Sequence, residues 1–63
     1  MDNIELIILT MALMARRDCR KSDSWAPADL VAKKMHERGV DQNVIGLFWS
    51  ELFRASRAVQ LIN

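Results

Sequence analysis

Apolar side chains recur along this chain at helical rather than strand spacing, in three blocks separated by polar punctuation. In the first block Ile4, Leu6, Ile7, Ile8, Leu9, Met11, Ala12, Leu13 and Met14 cover most of the circumference of a helix, so that helix must be contacted on more than one side. Asp2, followed three residues later by Glu5, offers carboxylates to the unpaired N–H groups of its first turn. The pattern predicts a helix over about 3–18. From Arg16 to Ser24 the chain is polar, locally basic and without apolar periodicity, which predicts a frayed helix end followed by a loop.

Ser24 is the expected N-cap of a second helix over about 25–38, with Pro27 in the first turn, where its missing N–H costs nothing. Ala28, Val31, Ala32 and Met35 share one face with Leu30 at its edge, and Asp29, Lys33 and Glu37 form an i,i+4 ladder outside. Gly39 can take the left-handed conformation that ends a helix, leaving Val40 to fold back on the last turn. Asp41 then caps a third helix over about 42–61. Along it Ile45, Phe48, Leu52, Ala55, Val59 and Ile62 recur at alternating spacings of three and four, the seam of a coiled-coil-like surface. Val44, Leu47, Trp49 and Phe53 widen that seam beyond what one neighbouring helix covers.

The expected fold is therefore all-α: one three-helix domain over residues 1–63, with a helix-turn-helix-like corner between the second and third helices. Length changes the picture. A chain of 63 residues that is 51% hydrophobic has little interior in which to bury so much apolar surface. Cys19 and His36 are its only cysteine and histidine, so neither an intrachain disulfide nor a zinc cluster can supply the missing stability. A homodimer, or docking onto another protein, is the remaining route. The expected interface residues are Ile7, Met11 and Met14 on the first helix and Ile45, Phe48, Trp49, Leu52, Phe53 and Val59 on the third. A single cysteine fits a reducing compartment, most simply the cytoplasm. The apolar run Leu6 to Ala15 is too short to span a membrane, and its acidic leading flank is wrong for an export signal.

Candidate chemistry is sparse. Without a Gly-rich loop, a carboxylate pair or a metal-ligand cluster, no enzymatic constellation and no cofactor is expected. His36 is read as a solvated surface histidine and Cys19 as an inert thiol. Ala32-Lys33-Lys34-Met35 followed by Gly39-Val40-Asp41-Gln42-Asn43-Val44-Ile45 resembles the helix-turn-helix of DNA-binding repressors, but with departures. Met35 and Arg38 stand where that motif wants a small and an apolar residue, and three residues lengthen its first helix. Gln42 and Asn43 could read bases, yet no cation follows until Arg54, and the net charge is only +1. A DNA-binding regulator using Arg16, Arg17, Arg20 and Lys21 as phosphate contacts is thus the alternative to a protein-binding module. Trp49 suits core or interface equally. Trp25 is either packed on the first helix or held out for a partner.

In length, in helical make-up, in its Asp2-to-Ala15 apolar helix and in its Gly39-Val40-Asp41 turn, the chain resembles the short early proteins of temperate phages that disable host factors by binding them, nearest those that act as anti-activators of quorum sensing. The resemblance implies a small non-enzymatic dimer in the host cytoplasm. It also implies that this dimer inhibits a LuxR-type transcription factor by binding its DNA-binding domain, with a pilus-assembly ATPase as a second host target. Arg16, Arg17, Arg20, Lys21 and Trp25, lying between the first two helices, are the candidate target contacts.

Overall fold

A computed structural model describes the backbone of residues 3–62 and the side chains of residues 3–55. Three helices account for nearly all of it: α1 (Asn3–Ser22), α2 (Ala26–Glu37) and α3 (Gln42–Ile62), with no strand among the described residues. The all-α reading holds, and the boundaries of α2 and α3 fall within one residue of those predicted. Asp2, the expected cap of α1, lies outside the described residues.

The start of α1 agrees with the sequence and its end does not. Residues 19–22, expected as loop, are a further helical turn. What stops the helix is Asp23, whose φ of 52° puts it in the left-handed region. Its N–H donates to the Arg20 carbonyl at 3.3 Å, and the Ser24 N–H reaches back to the Cys19 carbonyl at 3.1 Å. These are the paired bonds of a Schellman ending, built here on an aspartate rather than a glycine. Ser22 supports the same turn, its hydroxyl donating to the Asp18 carbonyl at 3.0 Å.

Gly39 ends α2 in the same way, at φ 77°, with its N–H on the His36 carbonyl and the Val40 N–H on the Met35 carbonyl, both at 3.0 Å. Val40 therefore folds back and is partly buried against the core, as its position after the glycine predicts. Asp41 caps α3 through its carboxylate, which accepts the Asn43 N–H at 2.7 Å. Ser24 does not occupy the N-cap expected of it. Trp25 holds that position without a side-chain cap, and the Ser24 hydroxyl instead accepts from the Ala26 N–H at 3.0 Å, one residue out of register.

α1 packs chiefly on α3 and less on α2, and α2 touches α3 least. The core that results is made of small residues facing large ones. α1 contributes Ile8, Ala12, Ala15 and Cys19, at alternating spacings of four and three, while α3 contributes Phe48 and Leu52. Alanines at a helix crossing let the axes approach to the short end of the usual ~8–10 Å, and the two large side chains of α3 fill the space that remains. Ala28 and Met35 of α2 close one side. The body measures 36 × 27 × 14 Å, too shallow for much more interior than this. No helix among the described residues is long and apolar enough to cross a membrane.

Candidate interaction surfaces

The seam of α3 divides once the helices are assembled. Phe48 and Leu52 are 0% exposed and belong to the core of the single chain, so they are not available as the dimer surface expected from their spacing. The periodicity is real, but its partner is α1 of the same molecule. Ile45 and Met11 are partly buried against the same core. The side chain of Val59 lies outside the described residues.

Among the described residues, most of the exposed large apolar side chains fall into two surfaces, with Ile4 and Leu30 exposed outside them. On α1, Ile7 and Met14 are 57% and 53% exposed, and Leu6 and Leu13 are similarly open. All four lie on the side of the helix opposite Ile8, Ala12, Ala15 and Cys19. Thr10 sits among them, its hydroxyl proton donated to the Leu6 carbonyl of its own helix at 2.9 Å. Arg17 borders this face on the following turn.

The second surface is aromatic. All four aromatic residues of the sequence, Trp25, Phe48, Trp49 and Phe53, form one connected cluster. Phe48 in the core meets Trp49 edge to face at 5.6 Å, Trp49 stacks on Phe53 at 5.9 Å, and Phe53 receives Trp25 edge to face at 5.6 Å. The series climbs from complete burial to a surface where Trp25 and Phe53 are each 49% exposed. Trp25, read from the sequence as either packed on the first helix or held out for a partner, finds its ring partner on α3 and stays half-exposed. Spacing gave Trp49 and Phe53 as neighbours four apart on one helix, but nothing in the sequence joined them to Trp25. Comparison with family models, with curated proteins and with solved structures finds no match to this chain.

Of the basic side chains expected to meet a target, Arg17, Arg20 and Lys21 stand three and four residues apart and so share one exposed face of α1, with Arg16 set apart by burial. They ride on the last two turns of α1 rather than on a loop, and Arg17, Arg20 and Lys21 are exposed there. Arg16 is only partly exposed, with its Nε shielded from solvent and without a hydrogen-bond partner. Basic residues in a last turn are also favoured by the helix dipole, which accounts for Arg20 and Lys21 without a ligand.

Cys19 is buried in the core and His36 is exposed on α2, so no thiol–imidazole pair faces a common space. Among the described residues no group of three or more His, Cys, Asp or Glu side chains is placed to hold a metal ion.

Proposed function

We propose that this chain is a non-enzymatic interaction module that acts as a homodimer and blocks a regulatory protein. The observation that carries the reading is the aromatic cluster, with Trp25 and Phe53 half-exposed and held in place by ring contacts. Large aromatic side chains dominate the energetics of protein interfaces. Rings already fixed by neighbouring rings lose little rotamer freedom when a partner covers them, so more of the contact energy is retained as affinity. The outer face of α1, with Ile7 and Met14, is the surface assigned to the second copy.

The resemblance to phage anti-activators supplies the class of target, the DNA-binding domain of a LuxR-type transcription factor. A small protein that covers such a domain prevents DNA binding by occupancy alone and needs no catalytic group. A second reading, direct DNA binding, is favoured by the exposed Gln42 and Asn43 at the start of α3. One experiment separates the two. A LuxR-type regulator bound to its operator is titrated with the purified chain and resolved by gel mobility. Blocking predicts release of the free operator by the native chain and not by Trp25→Ala/Phe53→Ala, with circular dichroism confirming that the variant keeps its helices. A shift of the operator by the chain alone, steeply reduced by salt, would establish the DNA reading instead. Operator that stays bound to the regulator throughout would overturn the choice of target.

A further inference from the structure

An apolar groove of about 490 Å³ opens where the C-terminal half of α2 and the Val40 turn face α1. Met11 lines it from α1, Val31 and Met35 from α2, and Val40 from the turn, and among the described residues the only polar ones in its lining are Lys34 and Arg38. The groove exists because of the way α2 ends. The Gly39 turn folds Val40 back onto Met35, while α2 stays closest to α1 and makes little contact with α3. None of its lining residues belongs to the aromatic cluster, so this surface stands apart from the one assigned to the regulatory target.

Two properties indicate what would fill it. Lys34 and Arg38 stand one turn apart on one edge, both are exposed, and neither takes part in an ion pair among the described residues. Among the described residues no carboxylate lines the groove, and the acidic residues of α2, Asp29 and Glu37, lie outside it. The walls contain two of the methionines, whose unbranched thioethers adapt to differently shaped apolar side chains. An apolar floor with adaptable methionines and a one-sided row of cations is complementary to a helix that carries apolar anchors three and four residues apart, with carboxylates beside them. Carboxylates four apart on such a helix match the one-turn spacing of Lys34 and Arg38. We infer that the groove is a docking site for an acidic amphipathic helix of a partner protein.

The methionines also provide the readout. With the methyl groups of methionine labelled with carbon-13, Met11 and Met35 report on the groove, while Met14, exposed on the outer face of α1, serves as an internal control. The probe is a synthetic amphipathic helix of about 18 residues with leucine anchors and flanking glutamates, compared with the same peptide carrying lysines for glutamates. The acidic peptide is expected to move the Met11 and Met35 resonances and leave Met14 in place, and to bind at least about tenfold more tightly than the basic one. In Lys34→Glu/Arg38→Glu, both substitutions at exposed positions, the preference between the peptides is expected to reverse. Equal binding of the two peptides to the native chain would overturn the inference, as would shifts at Met14 alone. Shifts of Met11 and Met35 that follow protein concentration without peptide would place a second copy in the groove. Shifts produced by dodecanoate and by neither peptide would assign the groove to a small amphiphile, and either result excludes the helix.

Discussion

Asp23 and Gly39 occupy the same place at the ends of successive helices, both with positive φ and both with the paired backbone bonds that satisfy the last carbonyls. Only one of them suits the conformation. A Cβ in the left-handed region crowds the carbonyl oxygen, and aspartate tolerates this better than most residues but not as well as glycine. Its carboxylate also stands at the negative end of the α1 dipole. Asp23→Gly is therefore expected to raise stability by about 0.5–1 kcal/mol, seen as a rise in Tm of about 2–8 °C for a domain of this size. Gly39→Ala should do the reverse, lowering stability by about 1 kcal/mol. An added Cβ there would meet no atom within 4 Å, so the cost comes from the backbone alone. Thermal unfolding of the two variants beside the native chain checks both signs. The glycine stop was legible in the sequence because glycine announces itself; the aspartate stop was hidden in a polar stretch that read equally well as loop.

At the scale of the helix, size does not decide which apolar side chains of α1 go inside: Ile8 is the one large residue of its buried row. Ala12, Ala15 and Cys19 are buried, while Leu6, Ile7, Leu13 and Met14 are half-exposed. The periodicity of small residues was present in the sequence but was masked by the surrounding leucines, isoleucines and methionines, which made every face look apolar. Phe48 and Leu52 of α3 require small residues opposite them, and that requirement selects the face. Enlarging a buried small residue should consequently be worse than trimming an exposed large one. Ala12→Leu is expected to cost about 1–3 kcal/mol by forcing α1 away from α3. Leu13→Ala, one residue along and on the open side, should change stability by no more than about 0.5 kcal/mol. Urea unfolding of the pair tests the packing of α1 directly, and equal losses for the two would show that the buried face has been misassigned.

For the whole molecule, the distinction between core and contact surface becomes a distinction between losing the fold and losing the assembly. Phe48→Asp or Leu52→Glu places charge where there is no solvent, and each is expected to unfold the chain, since a domain of this size has little stability in reserve. Ile7→Glu and Met14→Glu place charge on the outer face of α1, where the helix itself can tolerate it. Each is expected to convert the proposed homodimer to monomers at micromolar concentration with the helical circular dichroism retained. Sedimentation velocity with circular dichroism separates these outcomes, and a dimer unaffected by charge at Ile7 and Met14 would move the contact away from α1. The shallow 14 Å body gives the reason for expecting an assembly, because half-buried aromatic and aliphatic side chains remain after the three helices have packed together.

The sequence by itself determined the number of helices, the starts of α2 and α3 to within a residue, the glycine stop and the Asp41 cap. Each follows from period, capping chemistry or backbone freedom within a few neighbouring residues. It also determined that Ile45, Phe48 and Leu52 share a face, because spacing along a helix is a local property. Tertiary structure decided what that face meets. The seam read as an intermolecular surface is covered in large part from within, since α1 offers a complementary row of small side chains that no count of apolar residues distinguishes from its other faces. Tertiary structure also brought Trp25 to Phe53 and left Lys34 and Arg38 beside an apolar groove. Those arrangements depend on how separate helices are oriented in space, and helical periodicity carries the rotation of each helix about its own axis but not the choice of its neighbour.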